Sequence, residues 1–169
     1  TAGTDLDICA VIDPARHVGG DLYEVLRADD ETMVVVIGDV MGKGVPAALF
    51  MAVTMTLLRT LVRQHREPDE ILRRLNDELV VQNPRRLFVT MACLVFDLPS
   101  GRVTGASAGH NPLVLVSAAD GPRQVLRSSG MVVGLMPART YRSESLELAS
   151  GDMLLLFTDG VGEAESPAD

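Results

Sequence analysis

A chain of 169 residues, 47% apolar and 22% charged, has the size and balance of one folded domain with a substantial core. Its formal net charge of −8 excludes nucleic acid or an anionic membrane surface as the main partner, and any phosphate chemistry must then draw positive charge from a bound cation. The two cysteines, Cys9 and Cys93, lie far apart in apolar runs, which excludes a disulfide framework or a zinc ligand set. Buried thiols in a reducing compartment are expected, with a single disulfide between them left open.

In chain order, 6–12 reads as a strand and 22–27 as another. "ADDE" (28–31) is a turn, and 32–37 is a β-branched apolar run, so the pair 22–27 and 32–37 predicts a hairpin. A helix is expected to start near Pro46, where a missing N–H costs nothing, and to run to about His65. A long uncharged apolar run, 45–58, makes up its first part and contains two threonines. At about two-thirds of a bilayer span it reads as a buried helix. With no signal-peptide pattern either, the expectation is a soluble cytoplasmic domain without membrane insertion.

A second helix follows: Pro68, Asp69 and Glu70 form its acidic first turn, and Ile71, Leu72, Leu75 and Leu79 recur at helical spacing before Asn83-Pro84 ends it. The pattern then turns to strands, at 87–98, 102–108, 113–116, 123–126, 143–148 and 153–157, separated by "PSG" and "AADGP" turns. About nine strands with two helices inserted between the early and late ones give an α+β fold with antiparallel sheets packed on each other or covered by helices. The polar tail "EAESPAD" follows directly on the last strand and turn and reads as a cut end.

Aspartate is depleted in strands, so carboxylates placed where apolar strands stop draw attention. Asp21 sits in "VGGDLY", Asp39 ends "MVVVIGDV" and Asp159 ends "MLLLFTDG". Strand-to-loop turns favour Asp and Gly on their own account. Three such sites together point further, because convergent carboxylates repel unless a divalent cation lies between them, and oxygen-only ligation selects Mg2+ or Mn2+ over zinc. The lysine in "GDVMGKG" suggests a phosphate loop, but Gly38 and Gly42 enclose only three residues and Gly44, not a hydroxyl, follows Lys43. "GGDLYEV" likewise departs from the cyclase Gly-Gly-Asp hairpin, since Leu22 stands where an acidic residue is needed.

Among the other polar residues, His110 in "SAGHNP" either braces a turn between strands or serves as a general acid or water-positioner. Arg16, upstream of Asp21 with His17, either reaches a phosphate oxygen with its planar fork or is a solvated loop residue. His65 suits the end of the first helix, and Met51 and Met55 read as core filler.

The ordered set "VGGDLYE", "GDVMGKGVPAAL", "FVTMACLVFD", "SAGHNP", "VVGL" and "LASGDMLLLFTDGVGEA" resembles the metal-dependent PPM (type 2C) serine/threonine phosphatases, and within them the bacterial SpoIIE-type subgroup that controls sigma factors. The resemblance runs from about residue 13 to 164. It implies an αββα sandwich of two antiparallel sheets flanked by helices, with two Mn2+ or Mg2+ ions in a cleft at one end. Asp39 would bridge the ions, the Val40 carbonyl would complete one site, Asp21 would ligate directly or through water, and Asp159 would bind the other ion. Together Asp21, Asp39 and Asp159 would form the catalytic set, with Arg16 as the substrate-binding candidate.

The implied reaction is in-line attack by a metal-activated water on a phosphoserine or phosphothreonine, without a phosphoenzyme. The implied substrate is a phosphorylated protein, an anti-sigma factor antagonist, and the two helices would act as a regulatory switch. The family sequence continues with a helix and strand carrying a paired aspartate, one of them a metal ligand. The chain is therefore expected to be a single phosphatase domain (1–169) lacking that C-terminal helix and strand and any upstream sensor domain. One metal site would then be incomplete, and bare strand edges would invite a homodimer. The alternative from another class is a phosphatase-like interaction module without turnover.

Overall fold

The computed structural model describes residues 6–12, 19–81, 83–128 and 130–161. β1 (Asp21–Arg27) and β2 (Thr32–Val40) form the expected hairpin, followed by α1 (Val45–Gln64) and α2 (Pro68–Val81). Then come β3 (Val89–Asp97), β4 (Arg102–Ala108), β5 (Leu113–Ser117), β6 (Gly121–Val125), β7 (Ser143–Glu147) and β8 (Met153–Leu155). They make a five-stranded sheet of order β1-β2-β3-β4-β7 and a three-stranded sheet of order β6-β5-β8, each antiparallel throughout.

Alternation along the central strands builds two cores from one sheet. On β2, Val34, Val36 and Val40 face one way, and on β3 Val89, Met91, Cys93 and Val95 do the same; all join α1 and α2 in the first core. The helices contribute Phe50, Leu58, Leu72 and Leu75 among others. On the opposite face, Ala92, Leu94 and Phe96 meet Leu113 and Leu115 of the smaller sheet in the second core, with Met33, Val35 and Ile37 packed against it. Burial on both faces is why β3 reads as a continuous apolar run. The layers are thus helices, large sheet, small sheet, an α+β arrangement as expected. The second helical layer implied by the resemblance is not among the described residues.

Local chemistry sets the helix ends. α1 has Pro46 in its first turn and starts from Gly44 at φ 77°, without a side-chain cap. Its last turn is closed by the His65 N–H bonded to the Leu61 carbonyl. By length and composition alone α1 could cross a membrane, yet Phe50, Thr54, Leu58, Leu61 and Val62 are buried within the fold. The β1–β2 turn is tied by Arg27, which donates to the carbonyls of Asp29 and Asp30, and by the Glu31 N–H bonded to the Asp29 carboxylate. That N–H, aided by Thr32 and Arg66, holds the Asp29 carboxyl below the ordinary carboxylate range.

Two expectations fail. Residues 6–12 form no strand, and Ile8, Val11 and Ile12 are exposed; a β-branched run becomes a strand only when a neighbouring edge completes its ladder. Cys9 is consequently exposed, while Cys93 is buried, and both are free. Burial alone pushes the Cys93 thiol up to about 12. The last strand also stops at Leu155 rather than 157, because its partner β5 begins just after Pro112, which has no N–H to give.

Asn76, which no sequence signal marked, and Asn83, expected only to end the second helix, join α2 and its end to the loop after β6. Asn76, fully buried, donates to the Met136 carbonyl (3.1 Å) and accepts from the Gly134 N–H (3.0 Å). Asn83 donates to the carbonyls of Gly134 (2.8 Å) and Leu87 and accepts from the Leu87 N–H. The loop in turn pairs Val133 with Val89 at the start of β3. Asn76→Ala leaves a buried N–H and carbonyl without partners, so urea unfolding should show a loss of about 1–3 kcal/mol.

Candidate active site

Strand register assembles the site. Asp21, the first residue of β1, stands directly opposite Asp39 near the end of β2. Opposed residues of an antiparallel pair share a face. For these two it is the face of Ile37 and Val35, turned toward the smaller sheet, at the end where the hairpin opens. Asp39 is in turn opposite Thr90 on β3. Asp21, Asp39 and Thr90 therefore form one row across three strands, each partly exposed. Like charges facing each other in this way destabilise the apo pair and favour a cation between them.

Gly20 shows how tightly the oxygens are packed. Its carbonyl accepts the Val40 N–H at 2.9 Å. A Cβ at Gly20 would lie 2.5 Å from the Val40 carbonyl oxygen and 2.6 Å from Asp39 Oδ1, closer than real Cβ contacts come. Only a residue without a side chain leaves this nook of one carbonyl and one carboxylate open. Two carboxylates and a carbonyl form an all-oxygen set that fits a hard divalent ion such as Mg2+ or Mn2+.

Gly42 (φ 100°) and Gly44 (φ 77°) face open space where a side chain would stand. They serve the left-handed turn from β2 into α1, and Lys43 between them is exposed.

Asp159 lies in a 3-10 turn, Asp159–Val161, beyond β8, and is exposed. Among the described residues no group of three or more His, Cys, Asp or Glu side chains converges closely enough to hold a metal ion. The structure thus brings Asp21, Asp39 and the Val40 carbonyl together and leaves Asp159 outside that cluster. Arg16 and His17 lie outside the described residues.

His110 is 4% exposed, just past β4, and its Nδ1 is 3.0 Å from Thr90 Oγ1. Its Nε2 is buried without a hydrogen-bond partner among the described residues. Burial holds the ring's pKa below the ordinary histidine value, against the pull of the Phe157 backbone and the Asp159 and Asp21 carboxylates. Sequence reading singled out the histidine but missed Thr90, because a threonine inside a β-rich run looks like any strand residue. Only the pairing register shows that it stands beside Asp39.

Two stacked antiparallel sheets with helices on the larger one are the fold of the PP2C phosphatase domain of SpoIIE from Bacillus subtilis, which superposes with a TM-score of 0.72 at 20% identity, covering 87% of this chain and 44% of that one. The chain belongs to the SpoIIE family: the family model described as Stage II sporulation protein E matches residues 29–169. It is 35% identical over 162 residues to the phosphoserine phosphatase RsbU of Bacillus subtilis, covering 95% of this chain and 48% of that protein. To Protein IcfG of Synechocystis sp. it is 34% identical over 187 residues, covering 95% of this chain and 29% of that one. The crystal structure of the RsbU and RsbW domains of Rv1364c from Mycobacterium tuberculosis superposes with a TM-score of 0.73 at 33% identity, covering 89% of this chain and 42% of that one. The chain spans less than half the length of each of these relatives.

Proposed function

We propose that this chain is the catalytic domain of a metal-dependent protein phosphatase that hydrolyses phosphoserine or phosphothreonine on a cytoplasmic phosphoprotein. The observation that carries the reading is the Asp21–Asp39 pair, facing across one ladder step, with the Val40 carbonyl held beside Asp39 by the absence of a side chain at Gly20. Membership of the SpoIIE family and similarity to a protein named phosphoserine phosphatase support it. Bound divalent ions supply acidification of a water and neutralisation of the phosphoryl oxygens.

The residues do the rest. Asp39 would hold both ions, with the Val40 carbonyl and Asp21 completing the first position and Asp159 serving the second. Arg16 is the candidate contact for the substrate phosphate. The substrate class is a phosphorylated anti-sigma factor antagonist, a reading supported by the resemblance to sigma-factor-controlling phosphatases and by the RsbU relative.

A second reading, an interaction module that binds phosphoprotein without turnover, is favoured by one observation: Asp159 is exposed and no three-ligand group forms among the described residues. Hydrolysis of p-nitrophenyl phosphate and of a phosphoserine protein, followed with Mn2+, with EDTA and after Mn2+ is restored, separates the two. The phosphatase reading expects turnover that EDTA abolishes and Mn2+ recovers. Phosphoprotein binding without turnover would favour the module, and hydrolysis indifferent to chelation would overturn the metal mechanism.

A further inference from the structure

We propose that Lys43, Arg85, Arg86 and Arg127 form a basic rim at the aspartate end of the sandwich, which selects phosphoproteins with acidic residues beside the phosphoserine; the inference rests on the phosphatase reading above. Strand pairing brings the rim together. At the end of β2, Val40 is opposite Val89, and the next N–H, of Met41, donates to the Phe88 carbonyl at 2.8 Å. Lys43 follows Met41 by two residues and Arg86 precedes Phe88 by two, so both stand at the end of the ladder where Asp39 sits. Arg127 approaches from the smaller sheet. Its neighbour Ser128 accepts the Gly109 N–H through Oγ at 2.8 Å, and Gly109 precedes the His110 bonded to Thr90.

Charge and backbone both set these residues apart. The chain is acidic, yet 41–44, 83–88 and 126–143 contain no aspartate or glutamate. Carboxylates gather at the far end of the same ladder, at Asp29, Asp30 and Glu31 in the β1–β2 turn and Asp97 at the end of β3. Arg59, Arg66, Arg73 and Arg74 are engaged in ion pairs. Lys43, Arg85, Arg86 and Arg127 are exposed and, among the described residues, in none. A positive φ in a residue other than glycine is uncommon and gathers at ligand sites. Arg86 (φ 51°) is held by Asn83, whose carbonyl accepts the Arg86 N–H and whose side chain bonds both backbone groups of Leu87. Leu126 (φ 49°) is buried, and its turn leaves Arg127 in solvent.

A merely solvated loop arginine needs neither a strained backbone nor a loop cleared of carboxylates. In the phosphatase reading the Asp21–Asp39 pair marks where the phosphoryl group is held, and the rim stands outside that pair. Its cations therefore meet what flanks the phosphoserine. Guanidinium forks pair with carboxylates through two N–H groups at a time, and a rim of one sign speeds encounter with the opposite charge. The occupant that fits is an acidic stretch of the protein substrate.

Steady-state kinetics with Mn2+ test this on three phosphoserine peptides of equal length, whose flanking positions carry Glu, Gln or Lys. The wild-type chain should hydrolyse the Glu peptide with a kcat/KM about tenfold above the Gln peptide, with the Lys peptide lowest. Added salt should narrow the spread. Arg85→Gln/Arg86→Asn should raise KM for the Glu peptide about three- to tenfold while kcat holds. Asparagine tolerates the positive φ at position 86. Lys43→Gln and Arg127→Gln should each give a smaller rise, and they carry the test should the double variant not fold. Arg102→Gln removes the same charge from the far end of the sheet, opposite Asp97, and should leave KM unchanged. Rim variants that keep the full Glu preference would overturn the proposal, as would an equal loss in Arg102→Gln. A wild-type chain that turns over neither the peptides nor p-nitrophenyl phosphate would sink the phosphatase reading and this inference with it. Turnover of p-nitrophenyl phosphate without any preference among the peptides would overturn the inference alone.

Discussion

Asp39→Asn is expected to lower Mn2+-dependent phosphatase turnover by about a thousandfold, equivalent to about 4 kcal/mol of transition-state stabilisation. Asp39 is the carboxylate common to both proposed metal positions, flanked in the ladder by Asp21 on one side and Thr90 on the other. Asparagine keeps the volume and one carbonyl oxygen but removes the charge that a divalent ion needs. The strand itself should hold, since Val36 and Val40 anchor it in the core. Thermal unfolding of the metal-free variant should stay within a few degrees of wild type, while kcat falls. A variant that keeps more than about a tenth of wild-type turnover would remove Asp39 from the centre of the mechanism.

Gly20→Ala is expected to be nearly as damaging for a different reason. The added methyl would meet the Val40 carbonyl oxygen and Asp39 Oδ1 at 2.5 and 2.6 Å, and the first of these is backbone, with no rotamer by which to move aside. The carbonyl belongs to the backbone of a paired strand, so the hairpin end must open or the carboxylate must swing away. Overpacking of this kind costs about 1–3 kcal/mol of stability, and displacing ligands by about an ångström costs on the order of a hundredfold in rate. Urea unfolding and Mn2+ titration of the same variant check both parts. Full retention of Mn2+ affinity would show that the nook at Gly20 plays no part in ligation.

The fold was largely legible because its local signals agree. Pro46, the acidic turn at Asp69 and Glu70, and the apolar spacing of Ile71, Leu72, Leu75 and Leu79 all point to the two helices observed. The hairpin was legible from two hydrophobic runs joined by a short acidic turn. Residues 6–12 misled for the same reason: their composition suits a strand, but composition supplies no partner. β8 fell short of its expected length because Pro112, far away in sequence, ends the ladder it leans on.

The candidate site was legible as a set of residues and not as an arrangement. Asp39 and Asp159 stand out by position after apolar runs and Asp21 by its place beside two glycines, and the ordered motifs tie them to a known family. That Asp21 faces Asp39 depends on the register of one hairpin. A slip of one residue would set Gly38 or Val40 opposite Asp21 and turn Asp39 to the other face of the sheet. The bonds within the 28–31 turn help set that register.

By itself, then, the sequence determined the two helices, the hairpin and most of the strands, the acidic balance and the family, carried by short local patterns. Only the tertiary structure decided that Asp21, Asp39 and Thr90 share a row, that Gly20 is pressed against Val40 and Asp39, and that His110 closes on Thr90 with a nitrogen left over. These are contacts between strands distant in the chain, set by ladder register and close packing, and no local pattern encodes them.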